Sequence, residues 1–323
     1  MIRTLVFAFI VGLAPQIAVG QEWPTKPLRF VIGSGPGGLM ETVLSATSPV
    51  VEARLGQRII LEYRPGAGGN IGAQAVLAAP ADGYTFMPAA STIIVTNPFF
   101  YGNMPFDPLS DLVPVTMLVD NPLVIAVSAK LPVRTIAELA AHLASNPDRV
   151  HYGSPGNGTP PHLAGELMTR ALGVNAVHVP YKGAAAAATA LIANEVQFFI
   201  IAYASLRGQI QGGLARPVAV AGESRLAAMP QVPTLRESGY PQVDAAIGRF
   251  WWGLFAARGT PEPIIARVAA EYRAALMLNE VQAKLRDAGL IAVGNTPAEF
   301  AAMLPPQAAK WQALSKTLNI KFD

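Results

Sequence analysis

Two periods alternate along this chain. "LRFVIG" (28–33) is a short apolar, β-rich run, and helical spacing follows it as far as Leu55. "QRIILEYR" (57–64) is a second strand, "GAGGNIGAQAVLAAPADG" (66–83) a glycine entry with a helix, and "YTFMPAA" (84–90) a strand ending in small residues. "NPLVIAVSAK" (121–130) begins a second set. "TIAELAAHLASNP" (135–147) is a helix with Thr135 as N-cap and Glu138 three positions on, a capping box. The strands "RVHYGS", "AVHVPYKG", "EVQFFIIA" and "ARPVAVAG" follow, with a helix after each of the first two; the helix "AAAAATALIAN" starts on the close-packed alanines 184–188. "VDAAIGRFWWGLFAA" (243–257) reads as one strand crossing between domains, on which Trp251 and Trp252 point to opposite faces. Two amphipathic helices, 261–279 and 297–319, close the chain. Strand–helix alternation predicts an α/β fold with mainly parallel sheets covered on both faces.

The pattern leaves a first α/β unit near Asp120 and returns to it near Ile247. This predicts a discontinuous domain 1 (21–120 plus 247–323), a domain 2 (121–246) and a hinge of two crossings. In open α/β sheets ligands sit beyond the carboxyl ends of the strands, which places the site in the cleft between the domains.

Residues 1–20 do not fit this alternation. Arg3 gives a positive start, "TLVFAFIVGLA" an apolar stretch, and Ala18 and Gly20 the small residues of a cut at Gly20/Gln21. The segment reads as a secretory signal peptide, being shorter than the roughly 20 apolar residues of a span. The mature chain is then exported, and periplasmic in a Gram-negative host. With no cysteine among 323 residues, disulfides, thiol catalysis and thiolate metal sites are excluded. A net charge of +3 gives no basic stripe of the kind that marks a nucleic-acid binder. His142, His151, His162 and His178 share no metal-ligand spacing, and no nucleophile-elbow, zincin or P-loop motif occurs. The sequence calls for neither cofactor nor metal.

Two loops remain, each at the mouth of a helix: "GSGPGG" (33–38) and "GSPGNGTPP" (153–161). A helix N-terminus has unpartnered N–H groups and the positive end of the helix dipole. Glycines bring such a backbone close to a ligand, so each loop is a main-chain anion site. Pro160 and Pro161 suit the first turn, and Thr159 is the expected N-cap. Gly33, Gly35 and Gly38 also fit G-x-G-x-x-G, with Glu62 ending the next strand where a dinucleotide fold places its ribose-binding acid.

The runs "WPTKPLRFVIGSGPGG", "YRPGAGGNIGAQAVLAAPADGYTF", "PFDPLSDLVPVTML", "HYGSPGNGTPPHLAGELM", "VHVPYKGAAAA", "MPQVPTLRESGYP" and "WWGLFAARGTP" span the mature chain in order. Together they resemble the tripartite tricarboxylate transporter receptors, the Bug-type periplasmic binding proteins. The resemblance implies a type II periplasmic-binding-protein fold of two α/β domains. It implies capture of a small carboxylate, without catalysis, for membrane transporter subunits or a sensor, by a monomer. Carried over by motif, Pro36, Gly37 and Gly38 face Ser154, Gly156, Gly158 and Thr159, with Ala90, Ser91 and Thr92 lining the cleft. The family loop reads Pro-Pro-Gly-Gly with an Asp shortly after; here Gly35 replaces a proline and Glu41 stands at the Asp position. "IIAYAS" (200–205) replaces an acidic or amide pair, so Ala202 and Tyr203 make an apolar wall. Glu41 is either a ligand reader or a first-turn acid serving its own helix. His162 and His178 are ligand contacts or structural residues. Tyr181 and Tyr203 are expected to cap the cleft, and Lys182 either offsets a carboxylate or lies on the surface. An exported carboxylate-handling enzyme and a Rossmann-like dinucleotide binder stay open as alternatives.

Overall fold

The computed structural model describes residues 23–147, 149–157 and 159–318; the leader at 1–20 and the candidate Gly158 lie outside the described residues. The chain opens with β1 (Leu28–Ile32), α1 (Leu39–Leu55), β2 (Ile59–Tyr63), α2 (Asn70–Leu77) and β3 (Thr85–Ala90). A helical segment from Thr92 runs into α3 (Asn97–Phe100), then α4 (Pro108–Asp111) and β4 (Leu112–Asp120). The next set is β5 (Leu123–Ser128), α5 (Ile136–Ser145), β6 (His151–Ser154), α6 (Pro160–Leu172), β7 (Val177–Pro180), α7 (Ala184–Ala193), β8 (Phe198–Ala202), α8 (Tyr203–Gln211) and β9 (Ala215–Ala221). The last are α9 (Pro241–Ile247), β10 (Trp251–Ala257), α10 (Glu262–Leu276), α11 (Asn279–Asp287), β11 (Ile291–Ala292) and α12 (Pro297–Leu318).

The strands form two sheets, ordered β11-β4-β10-β3-β1-β2 and β7-β6-β8-β5-β9. Their pairing corrects the mainly parallel expectation. β1 is parallel to β2 and β3, and β6 to β7 and β8. β10 is antiparallel to β3 and β4, β11 to β4, and β5 to β8 and β9. The sheets are therefore mixed, because the strands at each crossing enter in reverse. A second correction concerns 243–257. Gly248, at φ 72°, ends α9 and separates it from β10, so the run is a helix and a strand. A third is α11 with β11, inserted between the two expected C-terminal helices.

Period-two alternation assigns each sheet two covered faces. Leu28, Phe30 and Ile32 of β1 pack with Met40, Val43 and Val51 of α1 and with Val268 and Tyr272 of α10. Val31 points the other way, into the core that holds Ala73 and Val76 of α2 and Phe300 of α12. In the second sheet Ile125, Val127 and Ile200 meet α5 and α6, while Val124, Ala126, Phe199 and Ile201 meet α7 and α8. Trp251 and Trp252 obey the same rule. Trp251 is buried with its Nε1 donating to Gln307 Oε1 at 2.8 Å, and Trp252 packs into the opposite core. At α5, Thr135 Oγ1 accepts from Glu138 N at 3.1 Å, but Glu138 Oε2 accepts from Arg134 N at 2.6 Å, one residue before the expected donor.

Candidate functional site

The first loop fills the gap between β1 and α1. At Gly33 an added Cβ would lie 2.8 Å from the Gly69 Cα and O, so only glycine lets this loop rest on the glycine entry before α2. Gly37 sits at φ 78° and Gly38 is the N-cap of α1. Glu41, in the first turn, accepts hydrogen bonds from the Gly37 N–H and from the Tyr63 hydroxyl at the end of β2, the latter at 2.6 Å. The Tyr63 hydroxyl, and then the Gly37 amide, hold the Glu41 carboxyl below its ordinary range. The tyrosine is pushed up by the same contact. Glu41 thus braces its own loop and occupies one of its N–H groups. Pro36 belongs to the same turn and is exposed.

The second loop is tied by side chains. Ser154 ends β6, fully buried. Its Oγ donates to Gly156 O at 2.9 Å, accepts from Gly156 N at 3.1 Å, and lies 2.7 Å from His178 Nε2. Thr159 occupies the N-cap position of α6, but its hydroxyl donates to Gly156 O at 2.7 Å rather than capping the helix, which corrects the side-chain role expected of it. Tyr181 N donates to Ser154 O at 2.9 Å and Gly183 N to Pro155 O at 3.0 Å, so the Tyr-Lys-Gly turn is fastened alongside. Tyr181 is half-buried and its hydroxyl is pushed up, by burial first and Glu195 second; Lys182 is exposed.

Beneath this loop lies a stack that spacing alone did not join. The His162 and His178 rings are 3.9 Å apart and 11° from parallel, and Tyr152 lies 5.0 Å from His178 and 5.3 Å from Phe198. The Tyr152 hydroxyl donates to Glu166 Oε1 at 2.6 Å, and burial followed by this carboxylate pushes it up. Burial, helped by His162, holds His178 down to about 4. His162 is held down by burial too, against the pull of Glu166. The Ser154–His178 distance is that of a nucleophile and its base. The serine is wholly enclosed and its Oγ is tied to the Gly156 N–H and carbonyl of its own loop, so the pair holds backbone rather than attacking substrate.

The remaining candidates also follow strand ends. Ala90 ends β3 opposite Trp252, and the buried Ser91 and Thr92 begin the helical segment beyond it. Ser91 Oγ accepts from Trp251 N at 3.4 Å. Ala202 ends β8, and Tyr203 opens α8 with its ring buried against Gly289 in the α11–β11 turn. The site candidates therefore lie at or just beyond the carboxyl ends of β1, β3, β6, β7 and β8, where two sets of mutually parallel strands point their loops. Glu62 does not behave as a ribose acid: its carboxylate pairs with Arg29 at 3.2 Å and Arg64 at 2.6 Å. Among the described residues no group of three His, Cys, Asp or Glu side chains is placed to hold a metal ion.

Sequence reasoning missed the bracing residues Tyr63, Tyr152 and Glu166, and the contacts that fasten the two expected crossings together. There Asn121 N donates to Phe250 O at 2.8 Å, and Asp120 pairs with Arg249 at 2.6 Å. Arg249 also reaches Glu223 at 3.3 Å. Burial raises the Asp120 carboxyl against the opposing pull of Arg249. The parallel pairing of β1 with β2 was the one signal that could have brought Tyr63 to the first loop. A separate crevice of about 290 Å³ lies between Ser224–Ala227 and the α11–β11 segment, with Arg225 and Arg286 on its walls.

Known proteins share this architecture. The family model described as tripartite tricarboxylate transporter family receptor matches residues 46–320. Protein BugT of Bordetella pertussis is 27% identical over 318 residues, covering 98% of this chain and 96% of BugT. A Rhodopseudomonas palustris protein, Rpa4515, solved with adipate, superposes with a TM-score of 0.83 at 30% identity, covering 93% of this chain and 99% of that one. MatC from the same organism, solved with bound malate, gives 0.78 at 27% identity, covering 91% and 100%.

Proposed function

Because the chain belongs to the tripartite tricarboxylate transporter receptor family, a family of periplasmic solute receptors, we propose that it captures a small organic carboxylate between its two glycine loops and hands it to membrane transporter subunits. The observation that carries this reading is the pairing of the loops. Each stands at the carboxyl ends of parallel strands, each opens a helix of more than two turns, and each sheet supplies one. Two such N-termini suit the ends of a carboxylic acid. That relatives were solved with adipate and malate supports the same ligand class.

The moving bodies are residues 21–120 with 247–323, and residues 121–246, joined where Asp120 and Arg249 pair. The receptor works as a monomer after cleavage near Gly20/Gln21, without cofactor. Calorimetry of the mature protein against adipate, malate and NAD tests this. Binding of at least one acid, released unchanged and with NAD inert, is expected. Turnover of the acid, or binding of NAD alone, overturns the reading.

A further inference from the structure

We propose that His178 is a positioning residue of the second loop that couples carboxylate capture to proton uptake: through Nε2 it sets the direction of the Ser154 hydroxyl, and when protonated it strengthens the loop's hold on an anion. The proposal rests on the carboxylate reading above.

A serine hydroxyl has one proton and two lone pairs. Around Ser154 Oγ stand the Gly156 N–H, the Gly156 carbonyl and His178 Nε2. The N–H takes one lone pair. The serine proton then goes either to Gly156 O, with Nε2–H donating to Oγ, or to a bare Nε2. In the second arrangement Gly156 O still has the Thr159 hydroxyl. The imidazole decides between the two, and a protonated imidazole permits only the first.

The surroundings make that proton depend on ligand. The groups facing His178 are His162 on α6 and Tyr152 on β6, and Glu166 on α6 acts on His162 behind it. Glu166 is already engaged by the Tyr152 hydroxyl. Enclosure and the second imidazole keep His178 neutral without ligand, at about 4. A carboxylate arriving on the loop brings the opposite charge, which typically raises a nearby cation's pKa by roughly one to three units. Binding in mildly acidic solution therefore draws in a fraction of a proton.

The test uses the full mature protein, adipate and malate as probes, and His178→Gln, whose amide keeps a donor for Ser154 but does not titrate. Calorimetry at pH 6 in buffers of different ionisation enthalpy should show uptake of about 0.1–0.9 proton per ligand by wild type and less by the variant. Between pH 7.5 and 5.0 the wild-type affinity should gain at least about twofold relative to His178→Gln. Equal pH slopes and equal proton uptake would overturn the role of His178 and leave the carboxylate reading standing. Wild type binding no carboxylate removes that reading, and this proposal with it. Should the variant fail to fold, histidine NMR on wild type decides: the His178 titration must move upward by at least about one unit on adding saturating ligand, and an unmoved titration overturns the proposal.

Discussion

Gly165 of α6 faces the Tyr152 ring, and Gly165→Ala sets two effects of opposite sign against each other. Alanine in a helix interior is favoured over glycine by about 1 kcal/mol. At this position, however, an added Cβ would lie 2.2, 2.6 and 2.8 Å from three ring atoms of Tyr152. The ring has nowhere to go. It is fully buried, stacked between His178 and Phe198, and held through its hydroxyl by Glu166. Overpacking costs about 1–3 kcal/mol. Loss of the buried hydrogen bond adds about 1–3 kcal/mol. The clash therefore outweighs helix propensity, and a net loss of about 3 kcal/mol is expected. Gly208 in α8 is the control, since it is exposed and an added Cβ there meets nothing within 4 Å. Gly208→Ala should gain about 0.5–1 kcal/mol. Urea unfolding followed by circular dichroism, with midpoints compared at equal slope, measures both. Gly165→Ala as stable as wild type, with Gly208→Ala gaining as expected, would refute the packing of Tyr152 and with it the support assigned to the second loop.

Four further outcomes are expected. Glu41→Gln should leave the ranking of adipate, malate and amino-substituted acids unchanged in calorimetry while speeding amide exchange at Gly37, because the carboxylate serves Tyr63 and the loop; a reordered ranking would make Glu41 a ligand reader. With its folded-state pKa lowered, Glu41 adds stability above the ordinary carboxylate range, which is lost as pH falls through the lowered value, so the stability gap between wild type and Glu41→Gln should close in acid. Arg249→Met strands the buried Asp120 and should cost about 1–2 kcal/mol in urea unfolding, the low side of the range for a broken buried pair because the arginine side chain is 36% exposed; Asp120→Asn in the same chain should restore part of it, and an unchanged midpoint would remove the pair from the hinge. Small-angle scattering should show a smaller radius of gyration once a calorimetrically verified carboxylate saturates the protein, since only the closed form makes both sets of loop contacts; an unchanged profile would mean a preformed cleft.

Local patterns carried much of this molecule. Short apolar, β-rich runs marked β1, β2, β3 and β5 to β9, and glycines after two of them marked both loops, because strand burial and positive φ leave traces in composition. Reverse-running β10 left none: an apolar strand reads alike in either direction, and Gly248 within an apolar run did not declare the end of α9. Likewise α11 is a nine-residue helix between two longer ones, short enough to pass for a loop. The histidine stack was illegible for another reason. His162 and His178 meet only because α6 lies over β6 and β7, a tertiary register that no spacing encodes. Thr159 shows the limit of cap rules: it occupies the N-cap position, yet its hydroxyl donates to the Gly156 carbonyl and makes no cap hydrogen bond.

The central claim is that one small carboxylate is held by two glycine loops, one from each sheet. Amide hydrogen exchange with and without saturating adipate or malate tests it most directly. Protection should rise in both 33–41 and 153–160 together. Protection in one loop alone, or instead along Ser224–Ala227 and α11 beside the separate crevice, would contradict it.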